Sequence, residues 1–140
     1  MFKFLKDKQD KKIAKLLEEA KNKYLGVDEK IEFFTDGIIN TVIANNSVIT
    51  HAILIVTDCR LFVYTKHTFG TQEECESFYY NNINSLSYVK ESILAFKLFP
   101  LKIAITTSNS TFIFRSAKNE KPMQEIAKYA NDKILEAHRK

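Results

Sequence analysis

The sequence has few of the residues that build disulfide or metal frameworks. Its two cysteines, Cys59 and Cys75, form neither a disulfide framework nor a closely spaced ligand pair, so both are expected to be free thiols. A hairpin centred near Cys59 would place His51 about opposite His67. With Glu73 or Cys75 as a third ligand these histidines could hold zinc. Surface or half-buried histidines are far commoner, so neither a metal nor a cofactor is predicted.

Long apolar runs are also missing. Charges or amides interrupt every hydrophobic stretch before it reaches the roughly 20 residues that span a bilayer. The lysine-rich start lacks the apolar core and the cleavage site of a secretory signal. We therefore expect a protein of the cytoplasm, or one at the inner face of the membrane. The length of 140 residues, 45% of them apolar, suits one domain with a single core.

Net charge is concentrated at the amino terminus. Residues 1–24 hold eight lysines and four acidic residues, whereas the rest of the chain carries thirteen basic and thirteen acidic side chains. The remainder thus has no overall field to attract polyanions. Nucleic-acid binding needs a basic surface beside exposed aromatic residues, so the sequence disfavours nucleic acid as a partner.

Two segments repeat apolar residues with the period of an α-helix. The first is a basic amphipathic helix within residues 1–24 that is expected to end near Gly26, and its apolar stripe consists of Ile13, Leu16, Leu17, Ala20 and Tyr24. The second helix follows Asn119 and tolerates Pro122 in its first turn. Its stripe consists of Met123, Ile126, Ala127, Ala130, Ile134 and Ala137.

Between the helices, short runs of β-branched and aromatic residues predict about seven antiparallel strands. They are predicted at 29–34, 38–44, 50–57, 60–66, 77–88, 94–107 and 111–116, and the first two could also form one bent strand. Turns are predicted at residues 45–47 and 108–110, and a break at Pro100. The order of helix, strands and helix indicates an α+β fold. Alternation predicts a set of core aromatic residues, namely Phe62, Tyr64, Phe78, Tyr80, Phe112 and Phe114.

Residues 51–64, HAILIVTDCRLFVY, predict a hairpin with a polar turn. Thr57, Asp58 and Arg60 form a small polar group there, but no histidine or second carboxylate is near in sequence to complete an acid/base pair. Asp favours turns by bonding nearby backbone N–H groups, and Arg60 can pair with Asp58 or cap the roll. We interpret the three residues as a hairpin turn signature and predict no catalytic residue.

This hairpin and the strands after it resemble the pleckstrin-homology (PH) superfold, specifically its bacterial YokE-like branch. The similar residues are AILIVTDCRL at 52–61, FG at 69–70 and FYY at 78–80. The pattern differs at Cys59, where lysine is common, and at Ala52, where glycine is usual. The resemblance implies a PH-like antiparallel β-roll over residues 25–140, with a capping carboxy-terminal helix and an extra amino-terminal helix. It also implies a non-enzymatic scaffold used for binding.

PH domains that hold inositol phosphates use Lys and Arg on their first two strands and the connecting loop. This chain has neither residue type from Ile31 through Cys59, so specific phosphoinositide binding is disfavoured. The resemblance favours contact with an unidentified protein or with a second copy of the chain. The expected surfaces are open strand edges, a predicted loop at 73–76 and the amino-terminal helix.

The amino-terminal helix also supports an alternative function, peripheral binding to an anionic membrane surface. Basic residues near such a surface contribute about 1 kcal/mol each, and inserted Phe and Leu add to this. The apolar stripe can instead pack on the roll or on a neighbouring subunit and leave the lysines solvated. The residues expected to contact a membrane or a partner are Phe2, Lys3, Phe4, Leu5, Lys6, Lys8, Lys11, Lys12 and Lys15.

Overall fold

A computed structural model describes residues 2–43, 45–66, 73–91, 99–117 and 120–139. In chain order it contains α1 (Phe2–Tyr24), β1 (Ile31–Ile43), β2 (Asn46–Thr57), β3 (Arg60–Lys66), β4 (Glu73–Tyr79), a 3-10 helix (Tyr80–Asn82), β5 (Ile83–Lys90), β6 (Leu101–Thr107), β7 (Thr111–Ser116) and α2 (Glu120–His138). The strands form one antiparallel sheet in the order β4-β3-β2-β1-β7-β6-β5. This arrangement confirms the predicted α+β architecture. Neither described helix has an apolar stretch long enough to cross a bilayer.

The predicted hairpin turns lie close to their expected positions. The predicted strands 29–34 and 38–44 are one continuous strand, β1, which confirms the alternative that the two form a single strand. β1 and β2 are paired up to their adjacent ends, where Ile43 lies opposite Asn46. Asn45 adopts a φ of 66°, a left-handed conformation that Asn tolerates better than most residues. The second turn is closed by a 2.9 Å hydrogen bond from the Thr107 N–H to the Ser110 carbonyl.

The prediction of one strand over 77–88 is wrong. The 3-10 helix divides this stretch, because β4 and β5 lie on opposite edges of the sheet and the chain must turn between them. The neighbouring Asn81 and Asn82 favour such a turn. Residues 73–76 belong to β4 and not to a loop, because their pairing with β3 overrides the low strand propensity of glutamate. β6 begins just after Pro100, and residues 92–98 lie outside the described part.

Residues 52–57 of β2 and 60–65 of β3 are buried on both faces of the sheet. On one face Leu54 and Val56 join the main core, which α2 covers with Met123, Ile126, Ala127, Ala130 and Ile134. On the other face Ile53 and Ile55 pack under α1 together with Phe62 and Tyr64. The predicted core aromatic residues are therefore divided between two layers. Five of the six are buried, and Phe112 is half-buried.

The two halves of the sheet meet where β1 crosses β7. Ile38 and Arg115 form the one ladder pair between these strands within the described residues. A Cβ atom on Gly37 would lie 2.1 Å from the Arg115 carbonyl oxygen and 2.6 Å from Cζ of Phe114. The strands can approach this closely because residue 37 has no side chain.

Candidate partner-binding site

The turn residues Thr57, Asp58 and Arg60 make structural contacts at the end of β2. Thr57 Oγ1 accepts hydrogen bonds from the N–H groups of Cys59 (3.1 Å) and Arg60 (3.0 Å). Asp58 Oδ1 accepts a 3.0 Å bond from the N–H of Lys30. That bond is the main reason why the pKa of Asp58 lies below its usual value. These contacts hold the hairpin turn against the start of β1.

Arg60 pairs with Glu29 rather than with Asp58. Its Nε and Nη2 donate to Oε2 and Oε1 of Glu29, both at 2.9 Å, and such bidentate pairs are among the stronger hydrogen bonds of proteins. The two side chains are only 11% and 7% exposed. Burial disfavours the charge of Glu29, but hydrogen bonds from Arg60 and Thr57 outweigh it and hold the pKa of the carboxyl below its usual value.

The remaining N–H groups of Arg60 connect two other parts of the fold, the end of α1 and β4. Nη2 donates to the Tyr24 carbonyl at the end of α1 (2.9 Å), while Nη1 donates to Ser77 Oγ (2.9 Å) and to the Tyr79 hydroxyl (3.2 Å) on β4. All five donors of the guanidinium are thus used inside the protein. Arg60 therefore serves as a structural crosslink and has no donor left for a ligand.

Glu73 forms a second crosslink between α1 and the sheet. Its carboxylate accepts hydrogen bonds from the hydroxyl of Tyr24, from the hydroxyl of Tyr64 (2.8 Å) and from Nζ of Lys23 (3.4 Å). The hydrogen bond to Glu73, followed by burial, raises the pKa of Tyr24 to about 12. The carboxyl of Glu73 has its pKa lowered, first by Tyr24 and then by Tyr64. The sequence did not indicate this role, because Lys23 and Tyr24 lie 50 and 49 residues from Glu73 in the chain.

The apolar stripe of α1 packs on the sheet. Ala20 is fully buried, and Ile13, Leu16, Leu17 and Tyr24 contact the layer formed by β2 and β3. These side chains are therefore not available to a membrane. The exposed lysines of the predicted contact set are Lys11, Lys12 and Lys15. Its other side chains lie outside the described part: Phe2, Lys3, Phe4, Leu5, Lys6 and Lys8.

Of the predicted histidine pair, His67 lies outside the described residues. His51 Nε2 lies 3.7 Å from Oδ2 of Asp36. In the described ranges no three His, Cys, Asp or Glu side chains come together as a metal site would require. Cys59 and Cys75 are both free and exposed.

Beyond Ile38 and Arg115 the facing edges of β1 and β7 leave a cavity of about 300 Å³. Its walls include Ile38 and Ile39 on β1 and Phe112 and Ile113 on β7. Ile113 is 41% exposed. A second cavity of about 240 Å³ adjoins the first, since Ile39 and Phe112 line both. We call the two cavities together the β1–β7 cleft.

The second cavity has an acidic rim, formed by Glu74 and Glu76 of β4. Val63 and Thr65 of β3 lie directly across the strand pair from Glu76 and Glu74 and line the same cavity. Burial raises the pKa of the Glu76 carboxyl, and the neighbouring charge of Glu74 raises it further. The cleft thus combines an apolar floor with negative charge on one side.

Arg115 also borders the cleft, but an ion pair holds it. Glu91 contacts Arg115 Nη1 with one carboxylate oxygen (3.2 Å) and Nζ of Lys102 with the other (2.8 Å). Lys102, followed by Arg115, holds the pKa of Glu91 below its usual value. The arrangement connects the end of β5 with β6 and β7. It could not be predicted from the sequence, because it depends on how these strands are paired.

Comparison with known proteins identifies the family. The sequence profile of the bacterial PH domain family matches residues 25–132. The chain belongs to this family. A comparison with curated proteins found no match. The matched part includes every strand of the described sheet and most of α2, while α1 precedes it.

Solved structures with the same fold come from distant proteins. The Vps36 N-terminal PH domain has a TM-score of 0.57 and 10% identity, with 83% of this chain and 86% of that domain covered. The hSac2 domain from the human phosphoinositide phosphatase Sac2 has a TM-score of 0.53 and 11% identity, with 91% and 81% covered. The C-terminal domain of a Leishmania infantum protein has a TM-score of 0.52 and 15% identity, with 87% and 98% covered.

Membership of the bacterial PH domain family sets the general function. PH-like domains are modules that typically mediate protein or lipid interactions, and the family is generally non-catalytic. The fold alone does not specify what is bound. In this PH domain the β1–β7 cleft and α1 are therefore the features from which the kind of binding partner has to be inferred.

Proposed function

We propose that this bacterial PH domain is a non-enzymatic module that binds an extended segment of a partner protein in the β1–β7 cleft. The finer assignment to the YokE-like branch is also a proposal, and it rests on the hairpin residues 52–61. The observation that carries the proposed function is the separation of β1 and β7 beyond one ladder pair. Two strand edges face each other there across an apolar cavity.

An extended peptide suits such a cleft for two reasons. Its backbone can pair with an open strand edge, and alternate side chains can enter pockets between strands. Ile38, Ile39, Phe112 and Ile113 supply the apolar contacts. A second copy of the chain could offer the same kind of segment through an open edge, so self-association is one form that this binding can take.

The distribution of cations argues against an inositol phosphate as the ligand. β1 and β2 carry no Lys or Arg, although vicinal phosphates need clustered cations. Arg60 and Arg115, which lie beside these strands, both form ion pairs with glutamates. The lack of Lys and Arg on β1 and β2 also disfavours nucleic acid as a ligand of these two strands.

Replacing Ile113 with Asp should remove partner capture. The exposed Ile113 side chain lines the cleft, and a carboxylate there would have to be desolvated on binding. We expect recovery of the specific partner from a lysate of the encoding organism to fall about tenfold or more. Quantitative mass spectrometry would measure recovery.

Val89→Asp is the matched control for this experiment. Val89 is 40% exposed on β5 and does not line the cleft, so capture should stay at the wild-type level. Equal recovery by both variants would contradict the proposed function. If the protein lost with Ile113→Asp is the chain itself, the partner is a second copy.

Membrane-surface binding is the second candidate function, and the exposed Lys11, Lys12 and Lys15 favour it. Because each lysine near an anionic surface contributes about 1 kcal/mol, replacing all three with Gln should weaken vesicle binding by roughly 100-fold. Sedimentation with phosphatidylserine vesicles at two salt concentrations measures this. Vesicle binding that is due to electrostatic attraction of these lysines must weaken at the higher salt concentration.

The matched control is the triple change of Lys121, Lys128 and Lys133 to Gln on α2, which removes the same charge elsewhere. If the protein-contact proposal is right, the wild-type chain stays in the supernatant. Salt-sensitive sedimentation that only the α1 variant loses would show that the membrane candidate is correct. Equal losses in both variants would indicate an unspecific effect of charge and contradict the membrane candidate.

A further inference from the structure

We propose that the β1–β7 cleft selects a partner segment that places one large apolar side chain between flanking Lys or Arg residues. This inference rests on the proposed function, and it adds the chemistry of the partner. It follows from the shape of the second cavity and from the charge at its rim.

The floor of the second cavity is apolar. Ile39 and Val63 are nearly fully buried, at 7% and 3% exposure, and the half-buried Phe112 completes the floor. The cavity has a volume of about 240 Å³. One large side chain, such as that of Phe or Leu, fits this space and would bury its apolar surface against the floor.

The rim of the second cavity favours positive charge on the partner residues that flank the apolar side chain. Glu74 and Glu76 are exposed and alternate along β4 with Cys75, so both belong to the face of the strand that lines the cavity. The described lining of this cavity contains two carboxylates and no basic residue. Arg115, which is the basic residue in the described lining of the adjoining cavity, forms an ion pair with Glu91.

The negative charges of Glu74 and Glu76 repel each other in the free protein. The pKa of Glu76 is raised by burial and by the charge of Glu74. An ammonium or guanidinium group of a bound segment would relieve this repulsion and form charge-assisted hydrogen bonds. An acidic segment would increase the repulsion, so the rim also excludes the wrong partners.

Fluorescence anisotropy with short labelled peptides tests this proposal on the full chain. The probe is a KKFKK pentapeptide with blocked ends, and the comparison peptides are EEFEE and KKSKK. We expect saturable binding of KKFKK, weaker binding of KKSKK and none of EEFEE. Equal binding of KKFKK and EEFEE, or no saturable binding of KKFKK, would overturn the proposal.

A double variant, Glu74→Gln with Glu76→Gln, should bind KKFKK about fivefold more weakly, as expected for two solvent-exposed ion pairs. The control is Glu125→Gln with Glu136→Gln, which removes two exposed carboxylates from α2 and should bind as the wild type does. Circular dichroism spectra of both double variants should match that of the wild type, so that a loss of affinity cannot be due to unfolding. Unchanged affinity of the rim variant would disprove the role of the rim.

The outcomes separate this inference from the proposed function. If KKFKK fails to bind while partner capture still depends on Ile113, the cleft is the binding site and the inferred partner chemistry is wrong. If neither peptide binding nor capture depends on residues of the cleft, the proposed function itself is wrong.

Discussion

Replacing Arg60 with Ala is expected to lower the free energy of unfolding by about 3–5 kcal/mol, the range for breaking a buried ion pair by removal of one partner. The change would leave the carboxylate of Glu29, only 7% exposed, without its cation. It would also remove the donors that hold the Tyr24 carbonyl and the side chains of Ser77 and Tyr79. Urea denaturation followed by circular dichroism would measure the loss.

Arg139→Ala is the control for this prediction. Arg139 is exposed at the end of the described chain, and such a change should alter stability by no more than about 0.5 kcal/mol. If Arg60→Ala lowered the free energy of unfolding no more than Arg139→Ala does, the crosslink through Arg60 would not exist in solution.

The stability contributed by the Arg60–Glu29 pair should depend on pH in a defined direction. The pKa of Glu29 is lower in the folded state than its usual value of 4.5. Its contribution is therefore fully present above that usual value and is lost as the pH falls through the folded-state pKa. The difference between the wild type and Arg60→Ala should accordingly be largest near neutral pH and shrink in acid.

Replacing Gly37 with Ala is expected to destabilise the fold by about 3 kcal/mol, at the upper end of the usual cost of overpacking. The added Cβ would lie 2.1 Å from a backbone oxygen of Arg115 and 2.6 Å from the ring of Phe114. β1 and β7 would have to separate at the point where they join the two halves of the sheet. Thermal and urea denaturation would both show the loss.

Gly26→Ala is the matched control, because its Cβ would lie 3.7 Å from the nearest atom, Cβ of Glu29. This variant should be as stable as the wild type or more stable by up to about 1 kcal/mol, since alanine restricts the unfolded chain. Equal stability of the two alanine variants would contradict the close approach of β1 and β7.

Local patterns in the sequence predicted much of the fold. The boundaries of β3 and β7 and the buried stripe of α2 follow from runs of strand-forming residues and from helical periodicity. The boundaries of β4 and β5 could not be predicted in the same way. β4 begins with three glutamates among four residues, and only its pairing with β3 makes this stretch a strand.

The sequence of the β2–β3 hairpin indicates that a second layer covers it. Residues 52–56 and 61–64 are apolar without alternation, which is typical of strands covered on both faces. A second layer over this hairpin was therefore predictable, but the identity of α1 as that layer was not. The apolar stripe of α1 could equally pack on another subunit.

The candidate site was harder to predict than the fold. Asp58 and Thr57 act as turn residues, as their sequence context indicates, but the partner of Arg60 lies 31 residues away. The cleft depends on the point at which β1 and β7 separate. Gly37 is the residue in the sequence that indicates where the two strands approach each other closely. The acidic rim is visible in the sequence as a cluster of glutamates, but its position beside Ile39 and Phe112 requires the sheet topology.

Photo-crosslinking from position 113 would show whether the partner protein contacts the β1–β7 cleft. A photoreactive benzoylphenylalanine would replace Ile113 in one sample and Val89 in another, and both would be irradiated in a lysate of the encoding organism. We expect one specific protein adduct from position 113 and none from position 89. Adducts of equal yield from both positions, or an adduct from position 89 alone, would show that the β1–β7 cleft is not where this protein meets its partner.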